Sequence, residues 1–293
     1  MIIAIFIGGA TAASLMIKKS KIANAQILTK TSPVADTAGL KLWFEPVMEE
    51  SFIKREIKDN NKITQWNDIN PQSDKPYYLT KDVDNDSPDI SYVKDGINSL
   101  PSVYFPTDSS ANPKFALSST AAVDPTIPNA IITPNNAFTF FVVEETAQAS
   151  SGANENGTVF YNGNIDSNGW GYSRTNQYKS LNIGGVTKND SLIMPNNTPH
   201  IISATFAGGS EGEINIFRNG AEETSYLNSQ TGIGVTPSLN GVYAGFFVGG
   251  MWNGYTWHGK LSELIIFDHV LKVNERKEIE QYLSNKYNIS LSN

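Results

Sequence analysis

The chain has 293 residues and a formal net charge of −7, which makes nucleic acids and anionic membrane surfaces unsuitable partners. It contains no cysteine, so disulfide cross-links, thiolate metal sites and cysteine nucleophiles are excluded. With 40% hydrophobic residues, 23 Gly and 14 Pro, the composition is typical of a globular, turn-rich protein of one or two domains.

The N-terminal segment joins an apolar run to a basic end. Residues 1–17 carry no charged side chain, and three lysines follow within residues 18–21. A helix of that length spans roughly 25 Å, near the lower limit for crossing a bilayer. Small residues in the run permit close packing of a second helix. The residues predicted to support such packing and assembly are Ile5, Gly8, Gly9, Ala12 and Ala13.

Three interpretations of this segment remain open. A cleaved secretory signal fits Ala23-Asn24-Ala25, which obeys the rule for signal peptidase, although no basic residue precedes the apolar run. A simple membrane anchor would keep the lysine cluster, and the rest of the chain, in the cytoplasm under the positive-inside rule. The third interpretation is the N-terminal helix of a type IV pilin-like protein, and it rests on a resemblance.

Residues 2–9 followed by residues 14–22 resemble the middle of a prepilin N-terminal segment, in which an apolar run with small residues precedes a short basic stretch. The cleavage site of that family, a Gly before Phe or Met with a Glu soon after, has no counterpart, so Met1 would fall inside the mature helix. The resemblance implies a subunit that is first held in the inner membrane and then packs its helix into a filament.

Strand and turn signals dominate the rest of the chain. Residues 31–38 form a predicted linker, because Thr31-Ser32-Pro33 interrupts the helical pattern. The predicted strands are residues 40–45, 63–66, 102–105, 137–144, 158–161, 171–174, 180–183, 200–206, 213–218, 244–248 and 260–267. Asn-Gly pairs, which favour tight hairpins, recur between them, most clearly at Asn219-Gly220. Many short strands with regular turns predict an antiparallel two-sheet sandwich or jelly roll.

The C-terminal segment is predicted to be a short helix, with Asn274 as its N-cap. Apolar side chains recur at three- and four-residue steps, which predicts one face packed against the sandwich. The members of that face are Ile279, Tyr282, Leu283 and Tyr287.

Both ends of the strand-rich region resemble bacterial laminin-G-like domains of the concanavalin A-like superfamily. The resemblance lies in residues 39–44, 63–68 and 96–105 at one end, and in residues 257–267 and 274–287 at the other. It implies an all-β jelly roll of two antiparallel sheets. The implied organisation is an apolar helix at 1–30, a linker at 31–38 and the jelly-roll domain at 39–293. Members of the superfamily mostly bind glycans or proteins, often with calcium, and some relatives hydrolyse polysaccharides.

Carboxylates spaced for glycosidic cleavage are missing from the sequence. The glucanases of this superfamily carry Glu-x-Asp-x-x-Glu on one strand, which places acid and nucleophile on one face, and that spacing does not occur here. Glu144 and Glu145 are adjacent, so they would point to opposite faces of a strand, and Glu263 stands alone. The three histidines stand near predicted strand ends without a nucleophile motif. We therefore predict that the chain is not an enzyme.

An acidic loop is the predicted metal site. Asp82, Asp84 and Asp86 alternate along the chain and offer the hard oxygen ligands that Ca²⁺ prefers. The loop is not an EF-hand, because Ser87 replaces the turn glycine and Val93 replaces the bidentate glutamate. A solvated acidic loop without metal is the open alternative.

Two aromatic clusters are the predicted glycan contacts, because rings stack on the apolar side of a sugar. One comprises Trp252, Tyr255 and Trp257 in a Gly-containing loop, and the other comprises Trp170 and Tyr172. Packing of these rings in the core is the open alternative.

These features predict a pilin- or pseudopilin-like subunit that displays a lectin-like adhesive head in a cell-surface filament, after an inner-membrane stage. Its partners would be copies of itself through the N-terminal helix, and a glycan or cell-surface protein through the head. The alternative is a secreted or membrane-anchored glycan-binding module that does not assemble. A polysaccharide-active enzyme is the third interpretation, which the carboxylate spacing disfavours.

Overall fold

The computed structural model describes residues 3–58, 60–74, 77–81, 89–106, 115–117, 137–147, 157–162, 169–175, 178–183, 186–190, 194–208, 213–223, 225–227, 246–251 and 255–292. For residues 3–13, 115–117, 175, 178, 186–190, 225–227, 251 and 255–256 it describes the backbone alone.

Three α-helices occur in these ranges: α1 (Ile3–Lys30), α2 (Pro33–Asp36) and α3 (Val273–Tyr287). Three short 3₁₀ segments lie at Glu49–Ser51, Lys54–Glu56 and Ile97–Ser99. Helix α1 ends just before Ser32, which is extended because the following proline disfavours helical backbone there. Among the described residues, no helix combines the length and apolar character needed to span a membrane.

The described strands form two sheets. The first sheet contains β1 (Leu40–Phe44), β2 (Asn61–Lys62), β5 (Ser91–Val93), β6 (Ser102–Phe105), β8 (Phe138–Thr146), β13 (Pro199–Phe206), β14 (Ile214–Arg218), β15 (Ala221–Glu222) and β20 (Gly259–Phe267). The second contains β3 (Gln65–Asn67), β4 (Tyr78–Lys81), β7 (Phe115–Leu117), β9 (Gly157–Asn162), β10 (Trp170–Thr175), β11 (Tyr178–Ile183), β12 (Val186–Asp190), β16 (Ser225–Leu227), β17 (Phe246–Val248), β18 (Gly250–Met251) and β19 (Tyr255–Thr256).

The strand order of the first sheet is β15-β14-β13-β8-β20-β6-β5-β2, and β1 also pairs with β20. The order of the second sheet is β16-β12-β11-β10-β9-β17-β7-β4-β3. The hairpin β18–β19 joins β9 through a parallel bridge, and the pairs along both of these orders are antiparallel. Strand β8 lies between β13 and β20 at the centre of the first sheet, so it is paired along both edges.

Strand β8 shows how the layers are arranged. Phe138, Phe140 and Val142 belong to the core between the two sheets, where Phe138 stacks on Trp170 of β10 with 4.0 Å between ring centroids. Phe141 lies in a second hydrophobic cluster, between the first sheet and α3. This alternation follows from the two-residue period of a strand. The centre of the first sheet is therefore buried on both faces.

The second half of α1 belongs to the second cluster. Ala25 is buried there, and Ile22 and Leu28 pack against it. The Gln26 side-chain amide donates a hydrogen bond to the Val47 carbonyl at 3.1 Å. Helix residues that precede the predicted linker thus contribute to the core of the strand-rich region.

The predicted mostly-β, antiparallel fold with one N-terminal and one short C-terminal helix is confirmed, and each predicted strand has a counterpart whose ends differ by at most two residues. Asn219 and Gly220 have φ angles of 49° and 83°, as a tight hairpin requires. The predicted N-cap of α3 is wrong by two residues, because Lys272 takes that position and Asn274 lies in the first turn. The carboxylate of Glu275 accepts the Lys272 N–H at 2.9 Å and supplies the cap instead.

Candidate functional site

Three of the aromatic rings predicted to stack on a glycan lie in the core. Trp170 and Tyr172, on the inner face of β10, are at most 1% exposed and pack among the phenylalanines of the first sheet. Trp257 is equally buried, and its Nε1 donates to the Thr146 hydroxyl at 3.2 Å. Stacking on a sugar needs an exposed ring face, so these three side chains serve the core instead. Trp252 and the side chain of Tyr255 lie outside the described residues, and their glycan role stays a prediction.

The predicted calcium ligands Asp82, Asp84 and Asp86 also lie outside the described residues, and their role stays a prediction. Within the described ranges, no group of three His, Asp or Glu residues is arranged to hold a metal ion. Asp89, just after this loop, pairs with Lys62 and Lys81. The hydrogen bond from Lys62, with the nearby Lys81, holds the pKa of Asp89 below its ordinary value.

The helix positions predicted to support assembly lie in the part of α1 where the backbone alone is described, so that role stays a prediction. These positions are Ile5, Gly8, Gly9, Ala12 and Ala13. The apolar side chains that follow them are more than half exposed: Leu15, Met16 and Ile17.

A cleft lies between the second half of α1 and the end of α3. Its volume is about 600 Å³, which is within the usual range for small-molecule sites. Side chains with amide, hydroxyl and ammonium groups form part of its lining: Lys21, Asn24, Asn98, Ser99, Asn285 and Asn288. Ala25 and Leu28 add an apolar side. A side-chain amide both donates and accepts hydrogen bonds, which is the combination that sugar hydroxyls need.

One wall of this cleft is held in a strained backbone conformation. Asn98 and Ser99 have φ angles of 49° and 66°, in the left-handed region that serine rarely adopts. Asn98 Nδ2 donates to the Tyr287 carbonyl at 2.7 Å, which ties this wall to the end of α3. Residues in such conformations often occur at ligand sites, where the surrounding structure maintains them.

Beneath the cleft, a lysine bridges two carboxylates in the second hydrophobic cluster. Lys286 Nζ lies 2.8 Å from Glu45 Oε1 and 2.9 Å from Glu263 Oε2, and all three side chains are fully or almost fully buried. Glu263 Oε1 also accepts hydrogen bonds from Trp43 Nε1 at 2.8 Å and from the Tyr282 hydroxyl at 3.0 Å. Burial raises the pKa of Glu45 to about 7, against the opposing charge of Lys286. This network fixes the end of α3 that forms one side of the cleft.

A β-bulge turns Glu263 towards the network. Leu261 faces the second sheet, and strict alternation would turn Glu263 the same way. The pairing of β20 with β8 shifts register between these two residues, so an extra residue is inserted and the side-chain direction reverses. Glu263 stands alone in the sequence, and no local pattern identifies its partners.

A second group of ionisable side chains lies at one end of the space between the sheets. We call it the inter-sheet polar cluster, and it consists of Glu144, Arg174, Lys179 and His200. Strand register pairs Glu144 with His200 in the first sheet and Arg174 with Lys179 in the second. Each of the four residues is at most 6% exposed.

Burial and neighbouring charges set the protonation of this cluster. Burial raises the pKa of Glu144, and the charge of Lys179 opposes that rise. Burial, together with the positive charges of Lys179, Arg218 and Arg174, lowers the pKa of His200 to about 3. The His200 imidazole is therefore neutral at physiological pH.

The sequence carries one signal for this cluster. Trp170, Tyr172 and Arg174 are two residues apart along β10, so a buried pair of rings predicts that the arginine also points inward. The prediction that His200 lies near the end of a strand is confirmed, since β13 begins at the preceding Pro199. Which cations surround it depends on sheet packing.

Chains of known structure share this fold. Domain 4 of AbnA, a GH43 extracellular arabinanase from Geobacillus stearothermophilus solved with arabinotriose, matches with a TM-score of 0.50 and 13% identity, over 83% of this chain and 98% of that chain. The binding domain of botulinum neurotoxin serotype D/C gives a TM-score of 0.51 and 10% identity, over 85% of this chain and 53% of that chain. Trypanosoma rangeli sialidase with the inhibitor DANA gives a TM-score of 0.50 and 11% identity, over 86% of this chain and 34% of that chain.

This chain therefore spans about half of the toxin chain and about a third of the sialidase chain. At these identities the likeness shows the fold alone. No protein-family model matches the chain, and no curated protein sequence matches it.

These comparisons correct one prediction and leave another without support. The prediction that the chain is not an enzyme is wrong, because an arabinanase domain and a sialidase are among the chains with this fold. The fold therefore does not exclude catalysis. The chains with this fold include a domain solved with arabinotriose and two toxin binding domains, and they give no support to a pilin-type helix or a filament role.

Proposed function

We propose that the chain is a carbohydrate-binding module that holds its ligand in the cleft between α1 and α3. The observation that carries this proposal is the set of asparagine amides around a cleft of about 600 Å³. Asn24 and Asn285 are exposed on the two helices that flank the cleft, so their amides can meet sugar hydroxyls from two sides. The Asn285 Oδ1 also accepts a hydrogen bond from Gln281 Nε2 at 2.9 Å. The fold shared with AbnA domain 4, which was solved with arabinotriose, supports a carbohydrate as the ligand class.

The finer fold class and the location belong to the same proposal. A concanavalin A-like jelly roll is supported by two antiparallel sheets packed face to face, with the first and last strands, β1 and β20, adjacent. An extracellular or cell-surface location is supported by the N-terminal apolar run with its basic end and by the fold shared with an extracellular arabinanase domain. Assembly into a filament is not part of this proposal.

A glycan array probed with the full chain tests the proposal. We expect binding to a defined subset of glycans, and a weaker response from the double variant Asn24→Ala/Asn285→Ala. Losing two amides that hydrogen-bond the ligand should reduce affinity roughly tenfold or more. The matched control is Asn274→Ala, which removes an exposed amide from the other end of α3 and should bind like the wild type. Equal binding by the double variant, or no glycan bound at all, would refute the proposal.

A receptor-binding role for a protein ligand is the second candidate, because the binding domain of botulinum neurotoxin serotype D/C has the same fold. The two roles differ in one measurement. Binding to cells should disappear after enzymatic removal of surface glycans if the ligand is a carbohydrate, and should persist if it is a protein.

A further inference from the structure

Two side chains of the inter-sheet polar cluster have buried nitrogens without hydrogen-bond partners in the described part of the chain. Arg174 is 4% exposed, and its Nη1 has no partner there. His200 is 6% exposed, and neither ring nitrogen has one. Buried polar groups are nearly always hydrogen-bonded, because leaving one unmatched is costly. Two such residues at one place indicate a site whose partners come from a bound molecule.

Arg174 offers a donor with a fixed direction. Its Nη2 donates to the Met194 carbonyl at 3.0 Å and to Asn196 Oδ1 at 2.6 Å. These two bonds hold the plane of the guanidinium, and Nη1 remains as the other terminal nitrogen. Asn196 is half-buried, so the guanidinium lies close to the protein surface. A guanidinium with a free edge matches the planar geometry of a carboxylate.

His200 offers a ligand both a hydrogen-bond donor and a hydrogen-bond acceptor. Its pKa of about 3 keeps the ring neutral, so one nitrogen donates and the other accepts, as a hydroxyl group requires. The cations that face it are Lys179, Arg218 and Arg174. Arg218 is ion-paired with Glu223 at 2.8 Å, so Lys179 and Arg174 are the cations whose charge attracts an anionic group.

Glu144 is the carboxylate within the cluster, and its charge interacts with those of Lys179 and Arg174. It accepts a hydrogen bond from the Thr146 hydroxyl at 2.7 Å. Burial raises the pKa of Glu144, which disfavours its charged form, and the charge of Lys179 opposes that rise.

We propose that the inter-sheet polar cluster binds a ligand that carries a carboxylate next to a hydroxyl, the chemistry of an acidic sugar residue. Arg174 contacts the carboxylate and His200 contacts the hydroxyl. The cleft between α1 and α3 lies across the first sheet from this cluster, since its wall packs in the second hydrophobic cluster. The inference therefore concerns a second site and does not depend on the cleft being a carbohydrate site.

Nuclear magnetic resonance of the wild-type full chain with ¹³C-labelled histidine tests the proposal without a variant in the site. The chain has 3 histidines, and His258→Gln and His269→Gln identify the resonance of His200 by elimination. The probes are glucuronate, which has both groups, glucose, which has only hydroxyls, and acetate, which has only the carboxylate. We expect glucuronate to shift the His200 resonance in a saturable way, and glucose and acetate to leave it unchanged at the same concentration.

Each other outcome overturns the proposal. An equal response to acetate would show a general anion site, and an equal response to glucose would show that the carboxylate has no role. A His200 resonance that none of the probes moves would show a closed internal network. Lactate separates the two sources of this ligand chemistry, because it has both groups without a sugar ring.

Variants of Arg174 test its assignment. Arg174→Gln should weaken glucuronate binding roughly tenfold or more. Arg174→Lys keeps the charge but loses the planar fork, so it should weaken binding as well. The matched control is Lys260→Gln, which removes one positive charge from a residue outside the cluster. Lys260 lies on β20 and pairs with Glu145 at 2.6 Å. Unchanged affinity in Arg174→Gln would overturn the assignment, and if both Arg174 variants fail to fold, the wild-type titration decides.

Discussion

Lys286 of the last helix and Glu45, which directly follows the first strand, form an ion pair in the core, with 2.8 Å between Nζ and Oε1 and neither side chain exposed. The pair joins the two ends of the strand-rich region on the side of the first sheet that faces α3. Glu263 contacts the same ammonium group, so one cation serves two carboxylates. The stability of the cleft above them therefore depends on this lysine.

Replacing this lysine should be strongly destabilising. Lys286→Met leaves two buried carboxylates without their cation, and breaking a buried ion pair in this way costs about 3–5 kcal/mol. Chemical denaturation with urea measures the loss. Lys272→Met, at an exposed position before α3, is the control and should have almost no effect. The double variant Lys286→Met/Glu263→Gln should recover part of the loss, and a Lys286→Met variant as stable as the wild type would contradict the role of the network.

Asp68 should make stability depend on pH. Its Oδ1 accepts the backbone N–H groups of Trp43 at 2.9 Å and Asn70 at 3.0 Å, and burial raises its pKa from 3.8 to about 7. The unfolded chain releases this proton first, so the contribution of Asp68 to stability falls as pH rises between those two values. Asp68→Asn cannot ionise, and it should gain on the wild type by at most about 1.4 kcal/mol per pH unit across that window.

Urea denaturation of both proteins at a series of pH values measures this effect. Asp74→Asn, at an exposed position nearby, should follow the wild-type profile. Parallel profiles for Asp68→Asn and the wild type would show that Asp68 ionises normally in the folded protein.

Trp170 should behave as a core residue. Its ring stacks on Phe138 and is fully buried, so Trp170→Ala leaves a cavity and should cost about 3–5 kcal/mol of unfolding free energy. Trp170→Phe retains an aromatic ring in the same place and should cost clearly less. Both values come from urea denaturation followed by circular dichroism. A stable, folded Trp170→Ala variant would show that the ring is dispensable to the core.

The second half of α1 should contribute to the stability of the strand-rich region. Ala25→Glu places a charge in the second hydrophobic cluster and should cost at least about 2 kcal/mol, because the carboxylate has no partner there. Ile27→Glu introduces the same side chain at Ile27, which is 59% exposed, and should be nearly neutral. Thermal unfolding of the two variants makes the comparison, and equal melting temperatures would show that the helix is not docked.

Local patterns predict the strands whose residues alternate or are strongly apolar. They miss strands that have neither pattern and form only because neighbouring strands pair with them. Strand β12 reads Val-Thr-Lys-Asn-Asp, which has neither apolar alternation nor high strand propensity. It is a strand because its backbone pairs with β11 on one side and β16 on the other. Pairing of this kind depends on residues far away in the chain, so a short window of sequence does not contain it.

The candidate site was predicted less well than the fold. The rings of Trp170 and Trp257 were assigned to ligand binding from their composition and from nearby glycines, but the packing of the two sheets encloses them. The cleft was not predicted, because it exists only where α1, α3 and the turn at Asn98 meet.

Local sequence suffices to specify the hairpin at Asn219-Gly220, the ends of most strands and the apolar face of α3, because backbone preference and side-chain periodicity act over a few residues. The contacts of Lys286 with Glu45 and Glu263 depend on long-range packing, since a β-bulge and the docking of a distant helix place these residues together. Strand register and sheet packing are long-range choices, made by burying apolar surface across the whole domain.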